Sequence, residues 1–438
     1  MPLGIILFIV AVNYHQLLVG NDSKYFVDQP TKLEASVVQQ KFDELFPKSI
    51  KVKDMDRDKL QNFMNEYFDD PICKNITNFQ PKPPTLAAIK DDKMREWAFE
   101  LNERWKELCI QIPADANNPT HNSIIYLPNP SIRPGSRFRE VYYWDSRIYY
   151  NMRSQPPFFT PMVNEYYKYT KDKEFLNEII PMMEKELEFW TVNRSVEFKK
   201  GCRNYTMYQY RTESTVPRPE SFCADVITAI NSKEANKAKL WQNLASAAES
   251  GMDFSSRWMR NPEQPKLEEI ITTSIVPYDL NAFIYFRNVF LYDKEENKYG
   301  WYDYNLETKE NNIHFYSTMA IPLFTQCYDT SEKPSVAERI YNTMKNYGAF
   351  EKAKGAEDYY GVQNHEHMVV LGLFNSGKEN LKQEALYLAK KWIIANYRLY
   401  SQCIEKPMWE KLSATGTYGM GGEYVPQEPR GGTELTDT

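Results

Sequence analysis

The chain has 438 residues and a formal net charge of −6 at pH 7, with acidic and basic residues interspersed along its length. A hydrophobic fraction of 42% and a charged fraction of 26% are typical of a globular protein and not of a disordered or membrane-embedded one. Since the sequence contains no basic patch or stripe, we expect no nucleic-acid partner.

The N-terminus predicts an exported protein. A short apolar run from Leu3 to Val12 is followed by small and polar residues near Gly20, which suits a signal-peptide core and is too short for a membrane span. Four N-x-S/T sequons agree with export; they begin at Asn21, Asn75, Asn193 and Asn204. We therefore expect residues 1–20 to be a signal peptide, residues 21–438 to form the mature domain, and the protein to be secreted. No later run is apolar enough to cross a bilayer.

Helical periodicity dominates the rest of the chain. Apolar residues recur at three- and four-residue steps in five stretches: 93–108, 174–190, 234–248, 336–344 and 381–394. In the second stretch the predicted buried stripe is Phe175, Ile179, Met183, Leu187 and Trp190. Aromatic, proline-containing loops are predicted at 126–135, 202–222 and 275–302, with short hairpin strands at 123–127 and 205–211. The pattern indicates an all-α protein whose loops gather on one side, where binding residues usually lie.

Segment 134–145 combines aromatic rings with charged side chains. Its candidate binding residues are Arg137, Phe138, Tyr142, Trp144 and Asp145. The arginine offers a bidentate clamp for hydroxyls, the rings offer stacking faces for a sugar, and the aspartate can accept from sugar hydroxyls. The alternative is an amphipathic loop whose charges pair with one another. Segments 153–157 and 217–221 repeat an arginine beside a polar partner in a proline-containing loop.

Two carboxylates stand in surroundings that suit acid–base chemistry. Asp253 follows Gly251 and is close in sequence to Phe254 and Trp258; desolvation by such rings disfavours the charged form of a carboxyl, which suits a general acid. The alternative is an aspartate that caps a helix, with serines nearby. Glu423 ends a glycine-containing loop, which suits a base that holds a water, or else an exposed loop acid.

The triplet His365-Glu366-His367 raises the question of a metal site. The chain contains only five histidines, and an H-x-H pair in a loop lacks the third protein ligand that a zinc site needs. We therefore predict no metal.

These motifs together resemble the trehalases of glycoside hydrolase family 37. The segments that carry the resemblance are "PGSRFREVYYWDS", "RSQPP", "PRPES", "AAESGMDFSSRW", "ITTSIVPYDLNA" and "GGEY", in the family's order. The resemblance extends from about residue 22 to residue 427. It implies an (α/α)6 toroid with a deep pocket, hydrolysis of α,α-trehalose to two glucose molecules with inversion, and no metal or organic cofactor.

The resemblance also implies roles for individual residues. Asp253 would be the acid and Glu423 the base, on opposite sides of the anomeric carbon and separated by roughly 6.5–9.5 Å so that a water fits between them. The glucose subsites would be lined by Arg137, Phe138, Tyr142, Trp144 and Asp145. Sugar hydroxyls would be held by Arg153, Gln155, Arg218 and Glu220.

The sequence departs from the family pattern in three places. Ser146 is followed directly by Arg147, where the family has roughly a helix pair and a loop. Gln363 is followed by residues 364–368, where the family has a signature of the form "QWDxPNxWxP", so that the H-E-H triplet is interpreted as a junction. Residues 429–438 do not resemble the family's continuation. We therefore predict missing segments after Ser146 and after Gln363, and a toroid that is incomplete.

An incomplete toroid has an energetic consequence. Losing a helix pair would expose apolar stripes on neighbouring helices, at about 1.5–3 kcal/mol for each large side chain, against a net stability of about 5–15 kcal/mol. The presence of Met252, where the family has tryptophan, also removes a ring beside the predicted acid.

Two main hypotheses follow. The first is a trehalase that acts on trehalose, with reduced activity if binding contacts are lost. The alternative is a catalytically impaired, secreted trehalase-like protein that binds sugar or a protein partner. A third, more distant hypothesis is another inverting glucosidase with the same toroid.

Overall fold

The structure is a computed structural model. In it the chain divides into two compact units. It describes residues 29–47, 50–51, 54–69, 74–75, 79–112, 118, 120–121, 126–133, 153–284, 292–293, 300–328, 333–347, 360–402 and 411–413. The first unit comprises the described residues within 1–146 and 216–231, and the second those within 147–215 and 232–429.

Helices account for most of the regular structure in these residues. The α-helices are α1 (Ala35–Leu45), α2 (Arg57–Tyr67), α3 (Pro84–Ala87), α4 (Asp92–Leu108), α5 (Phe159–Thr170), α6 (Lys173–Asn193), α7 (Phe222–Asn231), α8 (Lys237–Glu249), α9 (Tyr278–Phe283), α10 (Ile321–Thr325), α11 (Lys333–Asn346), α12 (Gln363–Phe374) and α13 (Glu379–Gln402). The 3₁₀ helices are Pro219–Ser221, Ser256–Trp258, Leu267–Glu269, Thr272–Ser274 and Ser317–Ala320. The predicted helix-rich class is confirmed.

The strands are short and their pairings are antiparallel. They are β1 (Lys74–Asn75), β2 (Cys109–Gln111), β3 (Ser131–Ile132), β4 (Ser195–Lys200), β5 (Arg203–Tyr208), β6 (Ile275–Val276), β7 (Tyr292–Asp293), β8 (Gly300–Trp301), β9 (Asp303–Asn305), β10 (Glu310–Asn312), β11 (Tyr360–Val362) and β12 (Lys411–Ser413). The sheet orders are β1-β2-β3 and β10-β9-β6, and the two-stranded pairs are β4-β5, β7-β8 and β11-β12. The β4–β5 hairpin, with register from Ser195 opposite Tyr208 to Lys200 opposite Arg203, confirms the hairpin predicted at 205–211.

The first unit is built on capped, amphipathic helices. Asp56 caps α2 by accepting a hydrogen bond from the Lys59 N–H at 2.9 Å, and Asp91 caps α4 in the same way from Met94 at 3.0 Å. The buried faces of α1 and α2 meet through Phe42, whose ring centre is 5.6 Å from that of another phenylalanine on α2. On α4, Trp97 and Leu108 of the stripe predicted at 93–108 are buried.

The main core belongs to the second unit. Buried residues of α11, α12 and α13 pack with Tyr278, Trp301, Tyr302 and Tyr304 in one apolar cluster. The Phe198 ring of the β4–β5 hairpin stacks on Tyr304 with centres 4.9 Å apart. Helix α12 packs against α10 and α13, and α5 packs against α6. Among the described helices none is long and apolar enough to span a bilayer.

The structure corrects three sequence expectations. The region 275–302, predicted as a loop, contains β6, α9 and β8. Helix α9 was not predicted because its six residues are too few to show helical periodicity. In α6, Leu187 was predicted to be buried but is 50% exposed, and Glu186 is buried in its place. After Met183 the next buried position comes three residues later and not four. The H-E-H triplet lies in helix α12 and not in a loop.

Candidate active site

Asp253 lies on a turn that directly follows helix α8. The turn begins at Gly251, whose φ of 72° is in the left-handed region that favours glycine just past a helix end. The Ser250 hydroxyl donates to the Ala247 carbonyl at 2.6 Å and accepts from the Met252 N–H at 3.0 Å. Asp253 itself is partly exposed. Hydrogen bonds therefore fix the backbone just before this partly exposed residue.

The backbone after Asp253 is fixed as well. Trp258 Nε1 donates to the Met252 carbonyl at 2.9 Å. Ser255 caps the 3₁₀ helix Ser256–Trp258 by accepting from the Arg257 N–H at 3.3 Å. The helix cap in this segment is thus provided by Ser255.

A buried ion network lies at the end of α8, four residues before Asp253. Arg194 and Glu249 form a salt bridge in which Arg194 Nη2 is 2.6 Å from Glu249 Oε1, and Arg194 Nε is 3.1 Å from Oε2. Ser154 donates to Oε1 from its N–H at 2.8 Å and from its Oγ at 2.7 Å. The Arg211 N–H donates to Oε2 at 3.0 Å. We call these four residues the Glu249 network; it joins α8 to three other segments of the second unit.

A second buried ion network lies four residues after Asp253. Arg257 donates from Nε and Nη2 to Asp303 at 2.9 and 2.6 Å, and from Nη1 and Nη2 to Asp279 at 2.9 and 3.2 Å. All three residues are fully buried or nearly so. Burial raises the pKa of the Asp303 carboxyl, although the Arg257 charge opposes that shift. We call these three residues the Arg257 network.

Aromatic rings surround the Arg257 guanidinium. Its central carbon lies 4.7 Å from the ring centre of Trp258, 5.1 Å from Tyr278 and 5.7 Å from Tyr316, all within cation–π range. Its Nη1 also donates toward the sulfur of Met252 at 3.1 Å. The residue before Asp253 is therefore anchored directly to the Arg257 network.

Arg153 and Gln155 flank the buried Ser154 in the second unit. Both are half-buried, whereas Ser154 is 2% exposed and the following Pro156 and Pro157 are buried. This alternation is that of an extended segment whose successive side chains point in opposite directions. The structure thus places these two predicted binding residues on a segment tied to the Glu249 network.

Arg218 and Glu220 lie in the first unit. Arg218 is buried and bound by Asp225, which accepts from its Nε at 3.0 Å, from its Nη2 at 2.7 Å and from its backbone N–H at 2.9 Å. Glu220 belongs to the 3₁₀ helix Pro219–Ser221 and is half-buried. The two hydrogen bonds to the Asp225 carboxylate fix the plane of the Arg218 guanidinium.

The remaining predicted site residues lie outside the described residues. They are Arg137, Phe138, Tyr142, Trp144, Asp145 and Glu423. The separation between the two predicted catalytic carboxyls therefore stays a prediction.

The described residues contain no group of three or more side chains suited to hold a metal ion. Positions 365 and 367 are two apart on helix α12, and positions two apart on a helix do not face each other. Burial lowers the pKa of the His367 imidazole.

The residues that form the two ion networks were not predicted from the sequence. One signal was present: Glu249 ends a run of small residues, 245–248, in an otherwise apolar part of α8. Small residues permit close packing, so an acid among them has to be buried and needs a partner. Neither Arg194 nor Ser154 carries any comparable mark in sequence.

Comparison with known proteins places the chain in a family. The model of the family described as Trehalase matches residues 19–146, 146–293 and 287–433. Trehalase of Apis mellifera is 31% identical, with 93% of this chain and 79% of that protein covered. Trehalase of Homo sapiens is also 31% identical, covering 94% of this chain and 84% of that protein. These alignments extend over 498 and 499 residues, more than the length of the chain itself.

The fold agrees with the sequence relationship. The neutral trehalase Nth1 of Saccharomyces cerevisiae matches with a TM-score of 0.51 and 15% identity, over 69% of this chain and 72% of that chain. The helix-rich fold is consistent with the predicted all-α toroid, and the family model and the relatives make the protein a glycosidase. It belongs to the trehalase family.

Proposed function

We propose that this protein hydrolyses α,α-trehalose to two glucose molecules with inversion at one anomeric carbon. Its relatives from bee and human carry the name trehalase. The observation that carries the proposal is the position of Asp253: a partly exposed acid on a turn that has a buried ion network on each side.

The mechanism uses two carboxyl groups. Asp253, protonated, donates its proton to the glycosidic oxygen as the bond to the anomeric carbon breaks. Glu423 accepts a proton from a water that attacks the same carbon from the opposite face, so that this carbon inverts. The products are one β-glucose, from the attacked ring, and one α-glucose, which keeps the glycosidic oxygen.

Substrate binding is assigned to the other predicted residues. Arg153 and Gln155, on the segment tied to the Glu249 network, would bind sugar hydroxyls. Arg218, oriented by Asp225 in its proline-containing loop, would also bind sugar hydroxyls. Glu220 and the residues Arg137, Phe138, Tyr142, Trp144 and Asp145 would complete the subsites. No metal or organic cofactor enters the mechanism.

The test is glucose release from trehalose by the full chain, with proton NMR of the anomers formed first. We expect equal initial amounts of α- and β-glucose, and a loss of about 10²–10⁴-fold in kcat for Asp253→Asn. Glu263→Gln is the control, because Glu263 is an exposed acid on the loop that follows. Equal activity of Asp253→Asn and Glu263→Gln would refute the assignment of the acid, and two β-anomers or two α-anomers would refute inversion.

The second candidate function is a catalytically impaired trehalase-like protein that binds sugar. It is favoured by alignments longer than the chain, which mean that the relatives have residues this chain lacks. Calorimetric titration with trehalose separates the two: binding without glucose release by the folded chain would support the second candidate.

We also propose that the protein is secreted and glycosylated. The apolar run at 3–12 and the sequons support this; Asn193, at the end of α6, and Asn204, on β5, are both exposed. The expected observation is protein in the medium of expressing eukaryotic cells, with a gel mobility that changes on treatment with an N-glycanase.

A further inference from the structure

We propose that Glu249 is a positioning residue of the active site: its carboxylate holds the segment that carries Arg153 and Gln155 against the end of helix α8, from which Asp253 follows. The proposal rests on the proposed function, since it assigns to Glu249 the alignment of binding residues with the acid.

The geometry around Glu249 shows how much of the second unit this one side chain joins. Its carboxylate is completely buried and accepts hydrogen bonds from the Ser154 segment, from Arg194 at the end of α6, and from the Arg211 N–H that follows strand β5. Arg194 is itself fixed, because its Nη1 donates to the Asn193 carbonyl at 3.1 Å and its guanidinium carbon lies 4.9 Å from a phenylalanine ring centre.

Local helix chemistry does not account for an acid at this position. Glu249 is the last residue of α8, where the helix dipole disfavours negative charge, and a buried carboxylate carries a large desolvation cost. Its placement is therefore explained by its tertiary partners. Two of these, the Ser154 and Arg211 N–H groups, are backbone donors, so the carboxylate fixes the path of two chain segments.

The consequence for the site follows from the chain itself. Ser154 is held to Glu249 by two hydrogen bonds, and Arg153 and Gln155 are its immediate neighbours. Asp253 is four residues after Glu249, through the turn at Gly251. A displacement of about 1 Å at a reacting site can lower the rate about 100-fold. The contacts of Glu249 that hold these segments in place therefore affect turnover, even though Glu249 touches no substrate.

The first variant is Ser154→Ala, which removes only the hydroxyl donor to Glu249. Its matched control is Ser246→Ala: Ser246 is also buried, lies on α8, and its hydroxyl accepts from the Thr212 N–H at 3.1 Å and donates to the Gln242 carbonyl at 2.7 Å. We expect kcat for trehalose to fall about tenfold or more in Ser154→Ala with little change in KM, and by less than about twofold in Ser246→Ala. Equal losses in the two variants would overturn the proposal.

The second variant is Glu249→Gln, which keeps the side-chain shape and removes the charge. Its control is Leu381→Ala. Leu381 is a fully buried residue of α13 far along the chain from the network, and its truncation is expected to lower the melting temperature as well. Hydrogen exchange measured by mass spectrometry should become at least about tenfold faster at 153–158 and 209–212 in Glu249→Gln. Leu381→Ala should leave the exchange rates of these segments close to those of the wild type.

Failure of the proposed function and failure of this inference are distinguishable. If the wild-type chain releases no glucose, the proposed function fails, and the exchange experiment still decides whether Glu249 holds the two segments. Unchanged exchange at 153–158 in Glu249→Gln would overturn the inference, whatever the activity of the wild type. Where Glu249→Gln does not fold, exchange at 153–158 in Ser154→Ala decides in the same way.

Discussion

The two ion networks on either side of Asp253 differ in charge balance. In the Glu249 network one guanidinium faces one carboxylate, and backbone and hydroxyl donors use the remaining acceptor positions. In the Arg257 network one guanidinium faces two buried carboxylates, so one negative charge is in excess unless a proton is held. Burial and the nearby Asp279 charge raise the pKa of the Asp303 carboxyl, and the Arg257 charge opposes that shift.

They also differ in what they join. The Glu249 network collects separate chain segments around one carboxylate, including the segment with Arg153 and Gln155. The Arg257 network lies among aromatic rings, one of which, Tyr278, belongs to the main apolar cluster of the second unit. The turn carrying Asp253 therefore has two different supports: one joins it to the segment of the predicted binding residues, and the other anchors it to the core.

The largest expected effect comes from removing the centre of the Arg257 network. Arg257→Met would leave Asp279 and Asp303 buried without their cation, which we expect to lower the free energy of unfolding by about 3–5 kcal/mol. Urea denaturation measures this. Arg260→Met is the control, because Arg260 is exposed and its ion pair with Glu307 is worth under about 1 kcal/mol. Similar losses in the two variants would mean that the buried network contributes no more than a surface pair.

A buried acid outside both networks sharpens the comparison, because desolvation dominates the pKa of its carboxyl. Glu186 on α6 is 9% exposed, no group among the described residues donates a hydrogen bond to its Oε1, and burial raises its pKa to about 8. A carboxyl with a raised pKa binds its proton more tightly in the folded state. Its contribution to stability is therefore present below about pH 4.5 and is lost as the pH rises to about 8.

Glu186→Gln should remove this pH dependence. In the wild type we expect Glu186 to lower the free energy of unfolding by on the order of 1.4 kcal/mol for each pH unit between pH 4.5 and about 8. The variant should lack this pH dependence, and it should be the more stable of the two proteins near pH 8. Unfolding by urea at several pH values measures it. Glu184→Gln, an exposed acid on the same helix, should keep the slope of the wild type, and a parallel slope in Glu186→Gln would contradict the expectation.

The fold was more predictable from the sequence than the site was, for physical reasons. Helix α4 follows directly from the apolar steps at 93–108, because periodicity reports burial along one element. Helix α8 begins at Lys237 and not at 234, since Asn236 caps it by accepting from the Lys239 N–H. Periodicity predicted that Leu187 faces inward, and this was wrong: Glu186 is buried there and Leu187 is exposed.

The ion networks could not be predicted, because they join residues far apart in the chain. Arg194 and Glu249 are 55 positions apart, and Arg257 and Asp303 are 46 apart. No local pattern links such pairs. What the sequence did indicate was the position of Asp253 just past a helix end, because Gly251 marks that end by its conformational freedom.

The smallest expected effect on stability tests the turn between the networks. Gly251 has a φ of 72° and Gly377, after helix α12, a φ of 81°. Replacing either by alanine places a Cβ in the left-handed region and should lower the free energy of unfolding by about 1–2 kcal/mol. Because only Gly251 lies between Glu249 and Asp253, Gly251→Ala should also lower kcat for trehalose, and Gly377→Ala should not. Equal stability losses with equal activities would show that the turn does not need its present geometry to present Asp253, and that the networks act on the core alone.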